Sequence, residues 1–345
     1  MERIIAILAK EFQLKEGQVG RTIALLDEGN TVPFIARYRK EMTGGLSDEV
    51  LRELEDRLGY LRNLEARKEE VLGLIEEQGK LTQDLRLEIM ETEVLQRVED
   101  LYRPFRPKRS TRATKAKEKG LEPLAEIIFA QGVEEGNLED LATAFINEEL
   151  EVHTLEDALQ GAMDIVAEWI SDHPEYREDI RDLNHAKGVI QSSAVDPGET
   201  SVYEMYYEFT EAVKTIANHR ILALNRGEKE KKLRVKLLSP DEEILDYLHS
   251  KVITNTNAIT TPLLQSAIED AYKRLIAPSI EREVRSLLTE RAEEDAIKVF
   301  GKNTKPLLMT PPVKDVRVLA IDPGYRTGCK IAVLDETGKL LDHAT

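Results

Sequence analysis

One cysteine, one tryptophan and an aromatic content of 5% are the scarcities of this 345-residue chain. A lone thiol, Cys329, cannot close an intramolecular disulfide or build a four-cysteine zinc site, so stability has to come from buried apolar surface, and a reducing compartment fits. The six histidines, His153, His173, His185, His219, His249 and His343, never recur at the short spacing of a metal-binding helix and are read as structural. Neither a GxGxxG nor a glycine-rich loop ending in Lys-Ser/Thr is present, which removes the phosphate cradle of a nucleotide hydrolase. Long hydrophobic runs are also missing. The opening MERIIAILAK is too short, and too soon followed by charge, to be a signal peptide or a membrane span. A soluble, cytoplasmic protein without membrane association is expected.

Charge is what the chain has in quantity. With 33% charged and 41% hydrophobic residues, and many Ala, Leu, Glu, Lys and Arg, the composition predicts a mainly α protein of two or three domains. A net charge of -17 repels phosphate on average, but the distribution is uneven. Residues 101–119 hold eight cations against Glu118 alone, a local +7 that leaves -24 elsewhere. In that stretch, YRPFRPKRSTRATK, Pro104 and Pro107 break regular structure, so the cations Arg103, Arg106, Lys108, Arg109, Arg112 and Lys115 sit on a loop that leads into a helix. Tyr102 and Phe105 are interleaved among them as candidate base-stacking rings. The bland alternative is a structural brace whose cations pair with neighbouring acids. A smaller cluster, Arg37, Tyr38, Arg39 and Lys40, is followed by Glu41 and reads equally well as ordinary helix surface.

Helix signals run along most of the chain. Ile4, Ile5, Leu8 and Phe12 share one face of a first short helix, and Ile23, Leu25 and Leu26 belong to a second that ends at Gly29 and Asn30. Ser47, followed by Asp48 and Glu49, opens a long helix to about Gln78, read as half of a helical hairpin, with Glu65 and Lys68 interrupting its apolar seam. Thr154 and Asp157 form a capping-box pattern ahead of a helix that carries Trp169 in the core. Ser239-Pro240-Asp241-Glu242 is a second helix start, just after a short strand in which Leu233, Val235 and Leu237 alternate. The longest helix is expected from Thr261 to Phe300, with a bend at Pro278.

After the linker GKNTKPLLMTPP the period changes to two, and three strands in meander order follow, the first ending at Asp322. Such a meander cannot bury both its faces, so the chain is expected to end inside a domain, with Cys329 a buried strand residue. Exposed strand edges of that kind also suggest a dimer through the strands. Asp322-Pro323-Gly324 has an internal control in Asp196-Pro197-Gly198, read as a plain turn between helical stretches, so that strand context alone separates the two. The domains are therefore placed at residues 1–190 (helical), 191–312 (helical, with a short strand and the long helix) and 313–345 (the start of an α/β domain).

Three well-separated phrases, DPGYRTGCKIAV, TVPFIARYRKEMTGGL and YRPFRPKRSTRATKAKEKGLEPLA, are similar to stretches of the Tex-like transcription accessory proteins, so the resemblance covers the whole chain. It implies a Tex-like helical region followed by the beginning of a YqgF-type, RNase H-like domain. In the family layout, the rest of that domain, helix-hairpin-helix elements and an S1-type OB domain would come next. The implied function is nucleic-acid binding, to single-stranded RNA or DNA near transcription, in which this chain is a helical scaffold with accessory phosphate contacts. Two further readings stay open: a metal-dependent nuclease of the Holliday-junction-resolvase kind in the intact protein, and an interaction scaffold on RNA polymerase or the ribosome. By resemblance, Asp322 matches the first-strand carboxylate of RNase H-like enzymes, structural or metal-binding. Because two-metal chemistry needs several converging carboxylates, no catalysis is expected from this chain, and Mg²⁺ is implied only if the intact protein is a nuclease.

Overall fold

The computed structural model describes residues 1–311, 315–324 and 328–345. The domain boundary expected at residue 312, and residues 325–327 of the DPGYRTG motif, lie outside the described residues. Seven helices come first: α1 (Glu2–Glu11), α2 (Glu16–Asp27), α3 (Val32–Tyr38), α4 (Lys40–Thr43), α5 (Asp48–Glu77), α6 (Gln83–Glu91) and α7 (Leu95–Tyr102). The start of α5 is as expected, since Ser47 Oγ accepts from the Val50 amide at 3.3 Å while Asp48 and Glu49 face the positive end of the helix dipole. Its partners differ from a hairpin. At 30 residues α5 is about 45 Å long, and α1, α3 and α7, each much shorter, share its length between them. Leu51, Leu54, Leu58, Leu61 and Leu64 are buried there, each contributing about 1.5–3 kcal/mol of transfer free energy. Lys68, which interrupts the seam, is itself buried, and its ammonium donates to Glu65 Oε1 at 2.7 Å and to the Met90 carbonyl at 3.1 Å. Arg3 donates to the same Met90 carbonyl, so two cations neutralise the negative end of α6.

The second group begins with α8 (Arg112–Glu118), α9 (Glu122–Ala130), α10 (Leu138–Thr143), α11 (Leu155–Asp172) and α12 (Pro174–Lys187). The capping box forms on α11, with Thr154 Oγ1 accepting from the Asp157 amide at 3.1 Å and Asp157 accepting from the Thr154 amide at 3.0 Å. Gly161 is required where α11 meets α8, because a Cβ there would stand 2.3 Å from Leu121 Cδ1 and 3.3 Å from Ala116 Cβ.

An antiparallel sheet follows, built from β1 (Val189–Ala194), β2 (Glu208–Ala212) and, after α13 (Asn218–Lys229), β3 (Leu233–Leu238), in the order β2-β1-β3. Only β3 was anticipated, and its Leu233, Val235 and Leu237 are buried in alternation as expected. Asp196-Pro197-Gly198 is a turn, closed by the Gly198 amide on Asp196 Oδ1 at 2.9 Å, but it follows β1 and not a helix. Strand context therefore does not distinguish it from Asp322-Pro323-Gly324.

After α14 (Asp241–Val252) come α15 (Thr261–Asp270), a π turn (Ala271–Ile276) and α16 (Ala277–Leu308), one helical run in all. Helix α14 starts one residue later than a Ser239 cap would place it, with Pro240 at the N-cap and no side-chain cap bond. The irregularity near Pro278 is the π turn. Proline has no amide proton and its ring crowds the carbonyl four residues earlier, here that of Arg274, and the wider turn accommodates both. The run continues through Gly301 and Pro306 to Leu308, beyond the stop expected at Phe300, and this end is exposed. The last strands, β4 (Val318–Asp322), β5 (Lys330–Leu334) and β6 (Leu340–Ala344), form the expected meander, β4-β5-β6, all antiparallel. None of their residues is buried, and Cys329 is exposed too, because no helix among the described residues covers either face of this sheet.

The large hydrophobic clusters lie on either side of the basic loop. Before the loop lie one large cluster, from Ile4 to Tyr102 with Phe105 packed against it, and a small one of Leu25, Val32, Ile35, Leu46 and Leu51; after it, residues from Ala113 to Ala292 make the second large cluster. The helices before residue 190 pack on those after it: Ile165 and Ile180 share a cluster with Leu224, Leu264 and Ile280.

Candidate nucleic-acid interface

The loop between the two large clusters is pinned at Arg103, Phe105 and Lys108. Its first three residues after Tyr102 form a single 3-10 turn, Arg103–Phe105, carrying Pro104. Arg103 Nε lies 3.2 Å from Asp172 Oδ1 at the end of α11, and Lys108 Nζ binds the same carboxylate and also Glu168 Oε1 at 3.3 Å. Between them the Phe105 carbonyl accepts from Gln78 Nε2 at 2.9 Å, while its ring packs half-buried on the first cluster. Burial pushes the Asp172 carboxyl above its ordinary value, and the charges of Lys108 and Arg103 offset this only in part.

The six cations singled out in the sequence therefore separate into two sets. Arg103 and Lys108 are the brace, bound to acids of α11. Arg106, Arg109, Arg112 and Lys115 are exposed and form no ion pair among the described residues. Thr111 Oγ1 accepts from the Thr114 amide at 3.0 Å and starts α8, and Ala113 and Ala116 are buried against α11. With those two positions inward, Arg112 and Lys115, three apart, share the outer face.

The rings behave differently from expectation. Tyr102 is only 4% exposed and lies in the first cluster beneath the Arg67 guanidinium, 5.5 Å from its centroid, so it offers no face to a base. Its position on the apolar face of α7 with Val98 and Leu101 was the available signal. Phe105 keeps part of its ring in water.

Asp322 ends β4, exposed, with Lys330 opposite it in register. No group of three or more His, Cys, Asp or Glu side chains among the described residues is placed to hold a metal ion. No helix among them is long and apolar enough to cross a membrane.

Sequence reasoning missed a buried ionic network that joins the two clusters. Arg177 is fully buried and pairs with Glu283, donating also to Ser279 Oγ at 2.8 Å, while Arg181 Nη2 reaches Glu283 Oε2 at 3.0 Å and Asp100 Oδ2 at 2.9 Å. Burial alone would raise the Glu283 carboxyl, but the charges and hydrogen bonds of Arg177 and Arg181 prevail and hold it below the ordinary value. The only sequence hint was arginine on a helix face otherwise due to be apolar.

Fold and site together define a helical scaffold with a braced basic loop between its two cores and a strand meander at its end. Three family models match the chain in order: Tex-like protein N-terminal domain over residues 2–76, Tex central region-like over 134–300, and Tex protein YqgF-like domain over 316–345. The chain belongs to the Tex-like proteins. It is 49% identical over 337 residues to protein YdcI of Bacillus subtilis, covering 97% of this chain and 47% of that protein. Protein tex of Bordetella pertussis is 42% identical over 359 residues, 99% of this chain and 45% of its own length. The transcriptional accessory protein Tex of Neisseria gonorrhoeae is 39% identical over 346 residues, 98% of this chain and 45% of its own. The chain thus spans about half the length of the curated relatives it matches.

Proposed function

We propose that this chain is the scaffold part of a transcription accessory factor and binds single-stranded RNA or DNA through Arg106, Arg109, Arg112 and Lys115. The carrying observation is the division of labour in the loop: two cations are consumed by Asp172 and Glu168, and four are exposed and form no ion pair among the described residues, in a chain that is otherwise strongly acidic. Phosphate is the ligand that such a set attracts, since each contact releases condensed counterions. The transcription context comes from the family and from the name of the Neisseria gonorrhoeae relative. RNA polymerase or the ribosome would then be met by other surfaces, and no catalysis is assigned to this chain.

The test is fluorescence anisotropy with a labelled 20-nucleotide single strand over a series of salt concentrations. Four phosphate contacts give a log-log slope of about -3. Replacing the four cations by Ala should weaken binding and remove the loop's contribution to that slope. An unchanged slope in that variant would show the loop to be a brace only.

A further inference from the structure

A second surface has the chemistry of a single-strand contact. Helix α3 buries Val32 and Ile35, three apart, against Leu46 and Leu51. That fixes its opposite side outward, and there Phe34 and Tyr38, four apart, place their ring centroids 5.3 Å from one another. The Arg39 guanidinium lies 5.2 Å from the Phe34 centroid and donates to the Tyr38 carbonyl at 3.1 Å. Tyr38 remains 56% exposed, and Arg37, Arg39 and Lys40 are exposed as well. None of these cations forms an ion pair among the described residues, although acids are plentiful; Asp48 nearby is engaged with Arg52.

The ridge is also held firmly. Gln18 Nε2 donates to the Thr43 carbonyl at 2.6 Å and Arg21 Nε to the Met42 carbonyl at 2.8 Å, so α2 clamps the end of α4. Gly44, at a φ of 68°, lets the chain turn there, and a Cβ would stand 2.9 Å from Gln18 Nε2. An exposed tyrosine ring beside a second ring that is tilted at 48° to it and covered by a guanidinium, flanked by cations without ion pairs among the described residues, combines the base platform and phosphate contacts that single strands use.

We infer that Phe34, Arg37, Tyr38, Arg39 and Lys40 form a second single-strand nucleic-acid contact, in which a base stacks on Tyr38 and the cations meet the flanking phosphates. The inference shares its ligand class with the loop reading and lies on a different surface, on the first hydrophobic cluster's side of the molecule. An acidic peptide would satisfy the cations and leave the tyrosine ring without a partner, so the ring favours the nucleic acid.

The experiment is photocrosslinking of the chain to a 20-nucleotide strand containing 5-bromouridine, with crosslinked peptides mapped by mass spectrometry, alongside anisotropy. A crosslink at Tyr38 or Phe34 is expected in the wild type, and it should persist when the four loop cations are replaced by Ala. A Tyr38→Ala variant should bind about tenfold more weakly, with an unchanged melting temperature. Crosslinks confined to residues 103–115 would overturn the ridge and leave the loop reading intact, whereas ridge crosslinks without loop ones would do the reverse. Displacement of the strand by poly-glutamate at equal charge concentration would also overturn it, because stacking would then contribute nothing.

Discussion

Asp100 and Arg181 face one another across the boundary between the two hydrophobic clusters, with Oδ2 and Nη2 2.9 Å apart. Both ends of the pair are shielded from water, at 3% and 14% side-chain exposure, and each has lost its hydration. Replacing Asp100 by Ala leaves Arg177 and Arg181 facing only Glu283, so stability should fall by about 3 kcal/mol. Urea unfolding followed by the fluorescence of Trp169, which reports on the second cluster, would measure it. A loss under 1 kcal/mol would mean that the network does not couple the clusters.

The same network sets an acid limit. Because the folded Glu283 carboxyl is held below its ordinary value of 4.5, its contribution is fully present above that pH and is lost as the pH falls from there through the lower folded value. Asp172, raised by burial, runs in the opposite sense: its folded form takes up a proton more readily than the unfolded chain, so its contribution fades as pH rises. Urea midpoints from pH 7 to pH 3 should therefore drop less steeply below pH 4.5 for Glu283→Gln than for the wild type. Parallel curves would contradict the assignment.

Brace and contact cations can be told apart by stability. Lys108→Ala leaves the Asp172 carboxylate with Arg103 alone and should cost about 1–3 kcal/mol. Arg109→Ala, at an exposed position, should change stability by no more than about 0.5 kcal/mol while lowering the salt slope by about 0.7. A reversal of these effects would exchange the two roles.

Glycines in helices normally gain from alanine, and Gly161 should not. Gly73→Ala on α5, where nothing lies within 4 Å of the new Cβ, should stabilise by about 0.5–1 kcal/mol. Gly161→Ala must displace the buried Leu121 side chain and should destabilise by about 1 kcal/mol. Thermal melts of the two single variants decide it by their opposite signs.

The meander shows apolar side chains to solvent on both faces, including Leu319, Ile321, Leu340 and Leu341. Exposed edges of this kind pair with other strands. Light scattering should find the 345-residue chain self-associating and a version ending at Pro311 monomeric. If both are monomers, strand pairing between copies is excluded.

Much of this architecture could be read from the residues because local signals and burial agreed. Ser47, Thr154 and the alternation at Leu233, Val235 and Leu237 each do locally what the tertiary structure also wants. Strand β1 was invisible because one of its inward positions is Ser192, whose hydroxyl donates to the Tyr206 carbonyl at 2.6 Å, so the alternation is polar to the eye. Strand β2, Glu208–Ala212, is an edge strand with no fully buried residue. Its pattern carries almost no signal. In the loop, the sign of the charge was legible and its use was not, since Asp172, which takes up both Arg103 and Lys108, lies more than sixty residues away. Tyr102 was misjudged for the same reason: adjacency to arginines in sequence hid its membership of the apolar face of α7.

The π turn at Ala271–Ile276 gives the long helical run a contact line that winds. Buried side chains recur at Leu264, Ile268, Tyr272, Ile276, Ile280, Val284, Leu288 and Ala292, every fourth residue without a break. With 3.6 residues per turn, such a line advances around an α-helix by about 40° at each step, and a wider turn in the middle takes up part of that advance. The run consequently meets α11 and α14 at its beginning, α12 further on, and α13 and β3 beyond. One rod serves several neighbours in succession without a sharp change of direction. Removing a single residue from the π turn would let that stretch close into an ordinary α-helix and leave the positions after it, Val284 and Leu288 among them, close to the faces they now use, so the extra residue is accommodated without re-aiming the rest of the rod.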